Sequence, residues 1–213
     1  MDWGLSSGRC SFDPRYRSFA SPSCCQSHIP IGFWYNQLGG SDNSCVIRNL
    51  INGLGYNCFA TGATEVALGH SLMPYKTLPR TIHTLLHPDR TEFFQFWNWV
   101  AILVAVISTT AHAQDMHDQG GDGLRGRRTV PLVIGDSLAR VSIVIGVGFW
   151  TVACCSIWGV VLLPWILVSA LALVVSVRIC LYRTVEADKR TFLLWNAWIT
   201  SVYMLPSMKQ LFP

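Results

Sequence analysis

Charge is scarce in this chain. Asp, Glu, Lys and Arg make up 13% of its 213 residues, against about 25% in an average globular domain. With 51% hydrophobic residues and nine tryptophans, that deficit points to a multi-span membrane protein. A net charge of +4 is mild, and no basic run is interleaved with aromatics, so nucleic acid is excluded as a partner. The eight cysteines contain no C-x-x-C, and no Cys/His set has zinc spacing, which argues against a disulfide framework or a zinc site. Cys154, Cys155 and Cys180 lie in apolar runs, where a thiol behaves as a small hydrophobe. No G-x-S-x-G occurs, so there is no sign of a serine nucleophile elbow. Residues 1–30 hold serines, Pro14, Pro22 and Pro30 but no apolar core, which excludes a secretory signal. They read as an irregular N-terminal segment ahead of one membrane domain, 31–213. No internal repeat is visible.

What is present is a series of apolar stretches. Five spans are expected: A over 49–69, B over 93–113, C over 139–159, D over 160–181 and E over 191–206. Most reach the roughly 20 residues needed to cross the hydrocarbon, and span E is short for it. The fold class is all-α, a polytopic transmembrane helical bundle. Spans C and D are separated only by Pro164 and small residues and form a tight hairpin. Span A is unusually polar, and Asn49, Asn52 and a slot near Tyr56 share one helical face. Such groups face the bundle interior or a cavity, so they read either as cavity lining or as interhelical hydrogen-bond glue. Gly53, Gly55 and Gly62 would let neighbouring helices approach closely. His83 and His87 stand four apart near Pro88, without a third ligand, and read as a solvated loop. Alternating the sides across five spans puts twelve of the sixteen Lys and Arg on one side, and the positive-inside rule makes that side cytosolic. It is the side that carries 112–136.

That stretch reads HAQDMHDQGGDGLRGRRTVPLVIGD, and it lies between spans B and C. Asp115, Asp118 and Asp122 form a D-x2-D-x3-D pattern. If the helix of span B runs on past Ala113, they fall at i, i+3 and i+7 on one face, where like charges cost about 0.2–0.5 kcal/mol per pair. A helix end has no structural need of this repulsion, but a hard divalent cation does. Mg²⁺ is usually held by one or two carboxylates plus substrate phosphates, and Arg125, Arg127 and Arg128 follow as phosphate donors. The bland alternative is a charged, solvated loop. Asp136 reads as a cap for span C.

The segment DMHDQGGDGLRGRRTVPLVIGD resembles the second aspartate-rich motif of the UbiA superfamily of membrane prenyltransferases, D-x2-D-x3-D followed by a basic segment ending in K/R-T-x-P. Asp115, Asp118, Asp122, Arg128, Thr129 and Pro131 match it. A W-Y-x-x-L-G-G-x-D stretch followed by R-N is also similar, at Trp34, Tyr35, Leu38 to Gly40, Asp42, Arg48 and Asn49. The HAQD variant looks most like the fungal secondary-metabolite branch, which includes UbiA-type terpene cyclases. The resemblance covers roughly 31–208 and implies a nine-helix bundle of which spans A to E are helices five to nine.

It further implies a Mg²⁺-dependent enzyme acting on a prenyl diphosphate, by transfer to a small aromatic or polyketide acceptor or by cyclisation, in secondary-metabolite or terpenoid biosynthesis. Asp118 and Asp122 would be catalytic, Asp115, Asp118 and Asp122 the metal ligands, and Arg127, Arg128, Asn49 and Asn52 the substrate-binding set. The lipid bilayer is the expected medium and the branch implies the endoplasmic reticulum. The family's first acid motif has no counterpart in these residues, so the competing expectation is a truncated, inactive homologue or a half-bundle interaction partner. A small transporter or channel is a third, with polar span A as its one hint.

Overall fold

In the computed structural model the described residues are 42, 44–68 and 90–211. The segment 1–30, the stretch from Trp34 to Gly40 and the His83/His87 pair lie outside them. Every regular element among the described residues is helical.

Five long or medium helices carry the architecture. Helix α1 (Cys45–Leu68) starts after Ser44, whose backbone carbonyl accepts the amide of Arg48 at 3.0 Å. Helix α2 (Arg90–Thr110) stops where Thr109 and Thr110 turn their hydroxyls back onto the carbonyls of Ala105 and Val106, at 2.8 and 2.7 Å. Such back-bonding competes with the helix ladder and bends it, and Thr110 itself has φ −123°. Two single 3₁₀ turns follow, Ala111–Ala113 and Asp115–His117, then the short helices α3 (Gln119–Leu124) and α4 (Val130–Ile134). The α4 start carries Pro131 in its first turn, where a missing N–H costs nothing.

Helix α5 (Asp136–Trp158) ends on Gly159, whose φ of 55° is the left-handed conformation that glycine alone takes without strain. Helix α6 (Leu162–Leu181) returns antiparallel, with Pro164 in its first turn. Helix α7 (Val185–Tyr203) is capped by Thr184, whose hydroxyl accepts the amide of Ala187 at 3.2 Å, with Glu186 and Asp188 in the first turn. Helix α8 (Leu205–Leu211) closes the described chain.

The packing order runs α1 on α2, α2 on α5, α5 on α6 and α6 on α7, with α7 against the 3₁₀ turns. The core centres on Trp195 and Trp198, both wholly buried, with Val106, Ile107, Ile143 and Val147. Trp198 donates its Nε1–H to Thr151 at 2.9 Å, joining α7 to α5. Close approach holds α1 to α2, because a Cβ on Gly53 would collide with Ser108 Oγ and the Val104 carbonyl. Gly55 and Gly62, expected to serve the same purpose, have nothing within 4 Å.

The outer faces are apolar. Leu138, Val141, Ile145, Phe149 and Val152 form one exposed stripe along α5. In water such a patch would be an aggregation hazard, whereas in a bilayer it is the lipid face. Three segments are long and apolar enough to cross a membrane: 95–117, 136–158 and 162–181. All five expected spans are helices, but α1 and α7 fall short of that standard. Asn49, Asn52, Asn57 and Thr61 dilute α1, and the polar turn Glu186–Arg190 dilutes α7. Span E also begins earlier than expected, at Val185, because the Thr184 cap recruits that polar turn into the helix.

The expected continuation of span B through the acids is not observed. The break at Thr110 puts each aspartate in a different local setting. Asp115 opens the second 3₁₀ turn, Asp118 is the N-cap residue of α3, and Asp122 lies within α3. They therefore do not share an α-helical face.

Candidate functional site

The 3₁₀ turns drop the chain into the end of the bundle instead of projecting it outward. Asp115 and Asp122 become buried, at 2% and 1% exposure, and Asp118 remains exposed. Each buried carboxylate meets an arginine. Arg48, from the first turn of α1, donates to Asp115 Oδ1 at 2.9 Å. Arg127 donates to Asp122 Oδ1 at 3.2 Å and to Asp42 Oδ1 at 3.0 Å. The two aspartates interact electrostatically with each other, as do the two arginines. The result is a linked row: Arg48, Asp115, Asp122, Arg127 and Asp42. Burial pulls the Arg127 guanidinium pKa down and the Arg48 charge does likewise. The Asp122 hydrogen bond and the charges of Asp122 and Asp42 outweigh both, leaving it above its ordinary value.

Asp115 Oδ2 is buried and has no hydrogen-bond partner. An unfilled carboxylate oxygen is costly in a low-dielectric setting. Around the same end, Thr129 Oγ1 and His117 Nδ1 are also buried without a partner, as are Asn49 Oδ1 and Asn52 Nδ2 on α1. Those two asparagine atoms therefore make no interhelical bond. That work falls to Asn57, which donates to the Gly53 carbonyl at 2.9 Å and accepts from Tyr203 Oη at 3.0 Å.

From the acidic turn an aromatic column runs inward. The His117 and Phe192 rings lie 6.1 Å apart, Phe192 stacks on Trp195 at 5.7 Å, and Tyr56 meets Trp195 edge-on at 6.4 Å. The column places Tyr56 of the polar α1 face opposite the α7 aromatics.

The turn is also tied to the bundle from behind. Gln119 donates to Asp136 Oδ1 at 2.9 Å and to the Met116 carbonyl at 3.1 Å. Asp136 accepts from Arg140, which is bidentate to Asp188 at 2.8 Å on both oxygens and also reaches the Ile179 carbonyl. Gly135 is the backbone N-cap residue of α5, so Asp136, expected as a cap, instead links Gln119 to Arg140. His112 Nε2 lies 2.8 Å from Ser142 Oγ and fixes the first 3₁₀ turn to α5.

Asp118 has its own constraint. Its Oδ1 sits 2.5 Å from where a Cβ of residue 121 would lie, so Gly121 leaves room for the carboxylate. Arg128 gives its backbone N–H to the Asp42 carbonyl at 2.9 Å, and its side chain is exposed. The structure thus brings together Asp115, Asp122 and Arg127, and adds Arg48 and Asp42, which the sequence offered only as motif matches. Pairing across 67 and 85 positions leaves no mark in local pattern.

Among the described residues no three His, Cys, Asp or Glu side chains gather tightly enough to hold a metal ion unaided. Two carboxylates, one with an unfilled oxygen, do fit the way Mg²⁺ is commonly held, with phosphate oxygens and water completing its shell. An open cleft of about 770 Å³ lies at the other end of the bundle, lined by Trp99, Trp150 and Trp158, and does not reach these residues.

The comparisons with known proteins converge on one lineage. The chain is 30% identical over 124 residues to fumagillin beta-trans-bergamotene synthase of Aspergillus fumigatus, covering 58% of this chain and 36% of that protein. It is 29% identical over 112 residues to somaliensene A/B synthase of Streptomyces somaliensis, covering 49% and 37% respectively. It is 29% identical over 120 residues to polyprenyl transferase eriF of Hericium erinaceus, covering 55% and 38%. The matched chain therefore spans little more than a third of each of these relatives, two fungal and one bacterial. No solved structure matches it. The family model for UbiA prenyltransferases matches residues 29–198. That range takes in the acidic turn, both arginines and the aromatic column, and with it the chain belongs to the UbiA prenyltransferase family.

Proposed function

We propose that this chain carries a diphosphate-and-metal site of a membrane-embedded enzyme acting on prenyl diphosphates, by terpene cyclisation or by prenyl transfer to a small acceptor. The observation that carries the reading is the buried, half-satisfied carboxylate of Asp115 beside Asp122, in the segment with the family's acid spacing. The relatives, a beta-trans-bergamotene synthase, a somaliensene synthase and a polyprenyl transferase by name, support the same chemistry.

Asp115, Asp118 and Asp122 are the residues that would hold Mg²⁺, and Arg127 and Arg128 the phosphate oxygens. When bound, the metal supplies positive charge against the negative charge building on the departing diphosphate. Arg127 adds preorganised donors to that charge. Asp118 is exposed, with room for its carboxylate at Gly121, and would meet an arriving ligand from the solvent side. Cleavage of the C–O bond sends its electron pair to the diphosphate and leaves an allylic cation. An acceptor captures that cation, or one of its own double bonds does, and loss of a proton to the released diphosphate or water then gives the neutral product. Tyr56 and Phe192, packed about the buried Trp195 beside the acidic turn, carry aromatic rings that would suit a passing cation. Asn49 and Asn52 offer unsatisfied polar atoms to the substrate. The acidic turn faces the cytosol in this reading, since twelve of sixteen basic residues share its side. An endoplasmic-reticulum membrane fits a cytosolic prenyl diphosphate supply.

The test is direct. Detergent-purified protein given farnesyl diphosphate and Mg²⁺ should release diphosphate, and the Asp118→Ala/Asp122→Ala variant should not. Absence of release from the unsubstituted chain, with no Mg²⁺-dependent ligand binding either, would favour a non-catalytic interaction partner.

A further inference from the structure

The cleft remote from the acids takes no part in the proposed reaction, yet its walls are graded in chemistry. Helices α2 and α5 touch at the acidic end, where a Cβ on Gly146 would come within 2.9 Å of Thr110 Cγ2. Farther along, indole rings stand between them. Trp150 of α5 donates its Nε1–H to Thr109 Oγ1 of α2 at 2.8 Å, and Trp99 meets Trp158 edge-on at 5.4 Å. Small side chains, Ala101 and Ala105, leave a slot beside these rings. Its volume of about 770 Å³ falls among the roughly 300–1,000 Å³ of ordinary ligand sites. On α2 the lining runs from Gln95 to Ala105, over which a helix rises about 15 Å. That is half of a hydrocarbon core about 30 Å thick. Both walls belong to segments long and apolar enough to cross a membrane, and the slot occupies their ends away from the acidic turn. It therefore has the depth of one leaflet.

The rim differs from the slot. Gln95, Asn98 and Lys209 stand there, all exposed. Helix α8 packs on α5 and so carries Lys209 to the opening. No Asp or Glu is among the described residues that line the cleft, so the lysine charge is not offset by an acid of the lining. Trp158 Nε1–H is buried without an acceptor. We propose that this cleft holds one anionic phospholipid of the leaflet opposite the acidic turn. An acyl chain lies along Ala101 and Ala105, between the walls of α2 and α5. The phosphate meets Lys209, and the ester oxygens take the side-chain amides of Gln95 and Asn98 and the Trp158 N–H. Tryptophan and lysine both suit the headgroup level, and a lipid with a negative headgroup matches the charge of the rim where a neutral one leaves it unused. The site is independent of which reaction the acids perform.

Tryptophan fluorescence of the full chain in phosphatidylcholine vesicles tests this, with lipids brominated along the acyl chain as quenchers. Dibrominated phosphatidylglycerol, added as a minor fraction, should quench saturably. Its half-point should lie at about fivefold lower fraction than that of dibrominated phosphatidylcholine, the size expected of one lysine acting on an anionic headgroup. Lys209→Gln alters an exposed side chain, so the fold should stand while the preference between the two lipids disappears. Ala105→Phe fills the slot and should remove the saturable component for both lipids. Lys189→Gln, at an exposed cation of the acidic end, should change neither. Equal half-points for the two lipids in the unsubstituted chain overturn the proposal. So does a preference that survives Lys209→Gln, which would belong to the basic residues of the other leaflet. Absence of any saturable quenching overturns it as well, and cross-linking between copies through Ile157→Cys would then name a second copy of the chain as the occupant.

Discussion

Among single residues, the three acids of one motif have unlike surroundings, and their substitution should separate stability from activity. Asp115→Asn leaves the buried Arg48 facing a neutral amide. Breaking a buried pair in this way costs about 3–5 kcal/mol, which a denaturant titration in mixed micelles should register as a lowered midpoint. Asp118 is exposed and makes no ion pair within 4.0 Å among the described residues. Asp118→Asn should therefore leave the midpoint within about 0.5 kcal/mol of the parent and abolish diphosphate release. Gly121→Ala tests position alone. The added methyl overlaps Asp118 Oδ1 and pushes that carboxylate aside. A displacement near 1 Å costs about 100-fold in rate, so release should fall by that order while the unfolding midpoint holds. An equal loss of stability in Asp118→Asn and Asp115→Asn would contradict the burial difference on which the pair of expectations rests.

Among the helices, the site end is fastened by Arg140. In the sequence this residue reads as one more basic group on the cytosolic side. In the structure it is 2% exposed and bonds Asp188 of α7, the Ile179 carbonyl of α6 and Asp136 of its own helix. Arg140→Met strands Asp188, so the expected loss is again about 3–5 kcal/mol, and the double variant Arg140→Met/Asp188→Leu should recover part of it. Unfolding of the two proteins in mixed micelles decides this, and a double variant less stable than the single one would refute it. The helices themselves were legible because apolar runs of about 20 residues in this composition have one physical outcome. The hairpin of spans C and D was legible from the small residues between them, but its turn falls at Gly159, and Pro164 lies in the first turn of α6. The break at Thr110 was not. Two adjacent threonines can continue a helix or bend it, and the choice depends on what the next turn packs against, here α1 and α7. The candidate site was half legible. The spacing of Asp115, Asp118 and Asp122 marked the segment, but the burial of two acids and the exposure of the third follow from that break. The Arg48 contact depends on how α1 lies on α2, which Gly53 decides by steric fit.

For the bundle entire, the charges and the apolar faces make one statement about orientation. The Arg48, Asp115, Arg140 and Asp188 groups meet at one end of the bundle, and Lys209 lies near the cleft at the other. Between them runs the exposed apolar stripe of α5, together with Leu163, Ile166, Leu167 and Leu173 on α6. Hydropathy alone supports three crossings, and α1 and α7 would join them only if inward-facing polar groups such as Asn57 and Tyr203, which bond each other, let those helices sit in lipid. A polar helix of this kind is stable in lipid only when its partners cover that face. Five crossings would place residue 124 and residue 209 on opposite sides. Leu124 is 93% exposed at the acidic turn, and Lys209 is exposed beyond α7. In a background with the eight native cysteines replaced by serine, Leu124→Cys in sealed microsomes should react with a membrane-impermeant maleimide added outside. Lys209→Cys should react only after the membrane is permeabilised. Equal labelling of both before permeabilisation would mean that α7 does not cross, and would return α7 to the membrane surface as a packing element.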